Sequence, residues 1–234
     1  MHKSKKIIFM ISTTLTFLLA LVIVPTTANA ATSGTGIFLD ETFFPVLKST
    51  TDTDGGTDAP GAATESASGV DARTTLGFVL PQGVLVGWTY NYYNSTSSRP
   101  AVAGGSESLA ETISRSEHGP TLGYVNNGWR FLMTYFLSGT QSRETVNKDS
   151  SGATTGNVVI SQAGMTGYQA SAGYTFALGS SLQVGPSLVY RSVSYTTQEK
   201  TNRLNAAETY ASTTLSKSKT ETSLNPMLSM QFLF

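Results

Sequence analysis

The sequence contains no cysteine. That absence excludes a disulfide scaffold, Cys-ligated zinc and a cysteine nucleophile. Charge is scarce: Asp, Glu, Lys and Arg make up 13% of the 234 residues, about half of the ~25% usual for soluble domains. The 15 basic and 15 acidic residues cancel, and no basic patch points to nucleic acid. The same poverty of charge excludes a coiled coil and a disordered acidic chain. Histidine occurs twice, at His2 and His118. His2 falls in the expected leader, residues 1–30, so the processed chain keeps one histidine and a multi-histidine metal site is excluded. After residue 24 no stretch is apolar and long enough for a membrane helix.

Residues 1–30 have the three parts of a secretory signal peptide. Lys3, Lys5 and Lys6 precede an apolar run from Ile7 to Val24, Pro25 breaks it, and Ala28-Asn29-Ala30 supplies small residues for cleavage. A retained membrane anchor is the competing reading of that run. Cleavage after Ala30 leaves a single domain over residues 31–234, with twelve basic residues against 15 acidic ones. No Cys follows the leader, so a lipoprotein is excluded.

Most of the remainder alternates with period two, as strands with two different faces do. Val84, Val86, Trp88, Tyr90 and Tyr92 share one face against Gly87, Thr89 and Asn91. Trp129, Phe131, Met133, Tyr135 and Leu137 oppose Arg130, Thr134 and Ser138. Leu76, Phe78 and Leu80 oppose Asp71, Arg73, Thr75 and Gly77. Tyr168, Ala170, Ala172, Tyr174, Phe176 and Leu178 oppose Gln169, Ser171 and Thr175, and Leu188 and Tyr190 oppose Ser187 and Arg191. Two further strands, over 36–47 and 112–125, alternate less cleanly. The adjacent Asp40 and Glu41 put one carboxylate on the wrong face unless a bulge intervenes. The spacing predicts eight strands.

Short turns are predicted at Pro81-Gln82-Gly83, Asn126-Asn127-Gly128 and Leu178-Gly179-Ser180-Ser181. Long Ser/Thr/Gly/Ala-rich loops are predicted near 50–69, 95–111, 140–156 and 197–216. Strict alternation of short and long connections predicts an eight-stranded antiparallel up-and-down transmembrane β-barrel, with short periplasmic turns and four long extracellular loops. A secreted β-sandwich would not turn its aromatics outward on nearly every strand. Interface girdles are expected at Trp88, Tyr90, Tyr92, Trp129, Tyr135, Tyr174 and Phe176.

The chain ends in Leu228, Met230, Phe232 and Phe234 at two-residue steps. This end resembles the C-terminal assembly signal of bacterial outer-membrane barrels, which closes on an aromatic residue. Over essentially the whole processed chain the pattern resembles the broad group of eight-stranded outer-membrane barrels, OmpA-type and OmpX-type. The resemblance implies an integral protein of the Gram-negative outer membrane at the cell surface. It also implies outer-membrane lipids and lipopolysaccharide as surroundings and the barrel-assembly machinery as a partner in biogenesis. The likeness is architectural, and the loops carry no family-specific motif. An extracellular ligand at the loops is left open.

Eight strands leave a lumen that side chains can fill. Asp71, Arg73, Arg115, Glu117 and Arg191 lie nine to eleven residues from their short turns. At ~3.3 Å per residue and 45° tilt they share one level, roughly 20–26 Å above the periplasmic rim. Arg130 lies low, and Asp40 or Glu41 is placed to pair with it. Charges inside a narrow barrel must pair, so an Arg/acid network filling the lumen is expected. The alternative is a narrow, porin-like ion or small-solute channel constricted by that cluster.

Other chemistry is thin. Ser116-Glu117-His118 has outward Ser and His two residues apart, the reverse of the His-x-Ser order of lipid A deacylases. Glu117 points inward there and cannot orient the imidazole. A lipid-modifying enzyme is therefore the remote alternative, and no catalysis is expected. Asp52, Asp54, Asp58 and Glu65 make an acidic loop that matches a calcium site weakly. No cofactor and no metal is expected.

Overall fold

The structure, a computed structural model, describes residues 35–52, 63–99, 108–149 and 151–234, with side chains described outside 46–52, 63–65, 206, 210 and 212. The leader and the centre of the acidic loop lie outside these residues. Eleven strand segments join into eight staves. β1 is Gly36–Asp52, β2 is Ala63–Val79, β3 is Val84–Arg99 and β4 is Ser108–Asn126. β5 runs through Trp129–Phe136 and Ser138–Lys148. β6 runs through Thr154–Ala163, Thr166–Tyr174 and Phe176–Ala177. β7 is Leu182–Asn202 and β8 is Tyr210–Leu233.

Each stave pairs antiparallel with its sequence neighbour, and β8 pairs back onto β1 from Phe38↔Leu233 to Phe43↔Leu228. The sheet is thus closed into a barrel along those six pairs, where the seam satisfies its backbone groups internally. Two short connections need positive φ. Asn127 and Gly128 take 49° and 83°, and Gln82 and Gly83 take 70° and 84°. Asn-Gly is the pair that a tight hairpin selects for this reason. All three expected short turns lie at one end of the barrel, the turn end; the other is the loop end.

The alternation decides the faces. Along Trp129–Phe136 exposure alternates at every residue, with the odd positions outward. Trp88, Tyr90, Tyr92, Trp129, Tyr135 and Phe176 are exposed on the outer surface with Leu76, Phe78, Leu122, Met133, Leu188 and Leu224. Tyr174 is half-buried between the rings of Trp129 and Phe176, at 5.0 and 5.1 Å. β1 and β2 pair without a break from Gly36↔Val79 to Asp52↔Ala63. No bulge separates Asp40 from Glu41. Asp40 is buried in the lumen, while Glu41 faces outward and its Oε2 accepts the Thr74 hydroxyl at 3.0 Å.

Two expectations need correction. The regions read as long loops are largely strand: β2 starts at Ala63, β3 reaches Arg99, β5 reaches Lys148 and β7 reaches Asn202. The β5–β6 connection is a short hairpin around Asp149, where Gly152 N donates to Asp149 O at 3.0 Å. Above the apolar belt both faces of a strand meet polar surroundings. Period-two hydropathy therefore ends there, although the backbone ladder and the β-propensity of Thr and Val continue. Ser138 also faces outward rather than inward. β4 pairs Thr121↔Thr134 below and His118↔Ser138 above, so β5 carries one extra residue at Leu137. That bulge flips the alternation.

Candidate functional site

The lumen is filled in layers. At the turn end Phe38, Val79, Leu85 and Leu132 form an apolar plug with Val125 and Leu233. Such side chains contribute roughly 1.5–3 kcal/mol each on burial.

Above the plug, Arg130 on β5 reaches across to Asp40 on the opposite stave β1 and donates to its Oδ2 through Nη1. Arg130 Nη2 donates to Ser187 Oγ at 2.6 Å. Asp40 also accepts Ser229 Oγ at 2.6 Å and Thr42 Oγ1 at 3.1 Å. Arg130 is 0% exposed and Asp40 1%. The sequence places these two at one low level, and the fold makes them a shared, hydrogen-bonded pair.

Next comes a ring of hydroxyls. Thr75, Thr89, Thr121 and Thr134 are linked in order at 2.8, 2.6 and 2.8 Å, one on each of β2 to β5. Sequence reading passes over them because threonine carries no charge to mark it. Their common height above successive turns is the signal that would have found them.

The fourth layer holds the expected charge cluster. Glu117 is 0% exposed and accepts Arg191 Nε at Oε2, 2.8 Å, and Arg191 Nη2 at Oε1. Arg115 Nε lies 2.8 Å from the same Oε1, and its guanidinium stacks 4.6 Å over the Tyr93 ring. Asn91 Nδ2 donates to Glu117 Oε2 at 3.3 Å and to Gln169 Oε1 at 2.8 Å. Arg73 Nη2 donates to Asp71 Oδ2 at 3.2 Å, and Asn225 Nδ2 donates to the same oxygen at 3.1 Å. The five residues thus form two groups, one centred on Glu117 and one on Asp71.

The fifth layer has no clear signal in the sequence. Phe136, Met165, Val193 and Tyr195 form a second buried apolar cluster at the level of the β5 bulge. Gln141 Nε2 donates to Glu221 Oε1 at 2.8 Å, Tyr195 Oη donates to Gln141 Oε1 at 3.3 Å, and Gln162 Nε2 donates to Gln198 Oε1 at 3.2 Å. Lys219 Nζ is 3.3 Å from Glu221 Oε1.

Outside the barrel, Ser116 Oγ is 3.4 Å from Thr140 Oγ1, and the His118 ring lies 5.8 Å from that of Trp88. The two residues engage different neighbours. Among the described residues no group of three or more His, Cys, Asp or Glu is placed to hold a metal ion. At the loop end, the Asp149 carboxylate accepts Ser151 Oγ, Ala153 N and Ser151 N, which hold it below the ordinary carboxylate range. Glu208 is held low in the same way by the side chains of Asn202 and Asn205 and by Lys200.

The C-terminal residues sit at the closing seam. Leu228 and Phe234 are exposed on the outer face, and the Phe232 and Phe234 rings are 6.2 Å apart, with Met230 beside Glu41 in the β1–β8 register.

No family model matches the chain, and no curated protein matches it. Among solved structures it is similar to the outer membrane protein OprG from Pseudomonas aeruginosa, at 11% identity and a TM-score of 0.37. That match covers 88% of this chain and 99% of that one. A weaker likeness, at 9% identity and a TM-score of 0.16, is to an engineered protein described for asymmetric conductivity; it covers 86% of this chain and 99% of that one.

Proposed function

We propose that this protein is an integral outer-membrane barrel with a closed lumen, serving a structural or surface-interaction role without catalysis. The outer surface supports the membrane reading. Soluble proteins rarely expose a contiguous apolar patch of more than a few hundred Å², yet here exposed apolar and aromatic side chains encircle the barrel. On β8 they run from Leu224 to Phe234, ten steps or about 33 Å along the strand, which a 40° tilt reduces to the ~25 Å apolar band of such barrels. On this reading the turn end faces the periplasm, and lipopolysaccharide surrounds the outer girdle.

One observation carries the closed-lumen reading. Arg130 and Asp40 join opposite staves directly above the Phe38/Val79/Leu85/Leu132 plug. Side chains that meet at the barrel axis leave no continuous water path. The test is single-channel conductance of the protein in a planar bilayer, after a heat-dependent gel shift has verified folding. The expected result is silence. Discrete openings that change in Arg115→Ala or Arg191→Ala would overturn the reading in favour of a narrow channel. Lipid A of unchanged mass in cells with and without the protein is the second expectation; a protein-dependent mass change would mark Ser116 and His118 as catalytic.

A further inference from the structure

The charge cluster does not balance. Among the described residues its cations are Arg73, Arg115 and Arg191, and its carboxylates are Asp71 and Glu117. The neighbouring layers offer no relief. Asp40 is taken by Arg130, and Glu221 is taken by Lys219 and Gln141. One positive charge is left over, and arginine does not release its proton in a protein.

The surplus falls on Arg73. Arg115 and Arg191 both converge on Glu117, whose oxygens Arg191 and Asn91 hydrogen-bond, while Arg115 Nε lies 2.8 Å from Oε1 as an ion pair without a hydrogen bond. Arg73 has a single bond, to an Asp71 oxygen that Asn225 also uses. Its side chain is only 3% exposed. Its Nε and Nη1 are buried and meet no protein acceptor. Two orphan donors alone would be satisfied by a water molecule. A water leaves the unpaired buried charge in place, and such a charge is costly.

We propose that this layer is a binding site for one small monovalent inorganic anion beside the Arg73 guanidinium, whose free Nη1–H holds the anion while its free Nε–H, on a different edge, meets a water. The surplus of one charge sets the valence. The enclosed position, 3% exposed, sets the size: a halide or nitrate rather than an organic acid. The unpartnered Asp71 Oδ1 faces a water rather than the anion, because two anions repel. Below the site the threonine ring, the Arg130/Asp40 pair and the apolar plug bar the turn end. Exchange therefore runs through the Gln141/Gln162/Gln198 layer at the loop end. The anion is a component of the lumen, and the site does not depend on whether the barrel conducts.

The test uses the protein purified from membranes in a zwitterionic detergent, with gluconate replacing chloride at constant ionic strength. The 35Cl NMR line should broaden in proportion to protein and narrow again on titration with bromide. Arg73→Gln should lose the protein-dependent broadening. Asp71→Asn raises the surplus to two charges and should tighten binding at least tenfold. Lys217→Gln, exposed at the loop end, should leave the broadening unchanged. Bromide-soaked crystals of the unaltered protein should give an anomalous peak within hydrogen-bonding distance of the Arg73 guanidinium, a measurement that needs no variant. Equal broadening in Arg73→Gln, no broadening by the folded protein, or a bromide peak only at the rim lysines would overturn the proposal and leave water as the sole occupant.

Discussion

Arg191 on β7 grips Glu117 on β4 from 74 residues away, with Nε donating to Oε2 at 2.8 Å and Nη2 to Oε1. The two staves are not neighbours in the ring, so this fork spans the lumen rather than following the sheet. Both side chains are 1% exposed or less. In such a place the partners matter less as a source of net stability than as mutual protection against an unpaired charge.

Removing one partner should therefore cost more than removing both. Arg191→Met is expected to destabilise the barrel by about 3–5 kcal/mol, because it leaves Glu117 desolvated beside Arg115 alone. The double variant Arg191→Met with Glu117→Gln should recover at least half of that loss. Urea unfolding in lipid vesicles checks both. Equal losses in the single and double variants would show that the pair acts through packing alone.

The threonine ring makes a similar prediction for neutral groups. Thr89 bonds to Thr75 and to Thr121. Thr89→Val should cost about 1–3 kcal/mol by leaving the Thr75 hydroxyl without its Thr89 partner, while Thr121 and Thr134 keep each other. Replacing all four threonines by Val removes donors and acceptors together and should cost less than the single change. The same unfolding measurement decides, and a loss that grows with each added Val would contradict the ring's role.

Phe234 separates assembly from stability. Its backbone closes the barrel, with Phe234 N donating to Ile37 O and Ile37 N to Phe234 O, each at 2.9 Å. Its side chain is 68% exposed. Phe234→Ala should keep the unfolding midpoint within ~0.5 kcal/mol while lowering the amount of barrel in cell membranes severalfold. Normal cellular yield would sink the reading of this residue as an assembly signal.

Acid should loosen the loop-end hairpins. Asp149 and Glu208 have carboxyls held low in the folded hairpins by Ser151 and Ala153 and by Asn202 and Asn205. A carboxylate lowered by folding contributes stability above its unfolded value and loses it as pH falls through the folded one. Amide exchange at Ala153, which donates to Asp149 Oδ1, should accelerate on acidification below the ordinary carboxylate range. Asp149→Ala should exchange fast at all pH values. A flat profile in the unaltered protein would contradict the contribution.

The alternation of apolar and polar residues determined the staves and most of their faces, and the Pro, Asn and Gly signals between them determined the three tight turns; the facing of Asp40 against Glu41 and the flip at Ser138 were left to the fold. One face of each strand must meet an apolar medium, and a one-residue slip would reverse it. It also placed Asp40 with Arg130 at one level, and Asp71, Arg73, Arg115, Glu117 and Arg191 at another, since height follows from distance to the turn. Only the tertiary structure decided who pairs with whom. Arg130 finds Asp40 across the axis, Arg115 and Arg191 share Glu117, and Arg73 is left with half of Asp71. Closing the ring chooses which staves stand opposite, and local sequence holds no record of that geometry. The strands above the belt were likewise hidden. Where both faces are polar, hydropathy carries no period, and only the backbone ladder between paired staves reveals that Ala63, Lys148 and Asn202 still belong to strands.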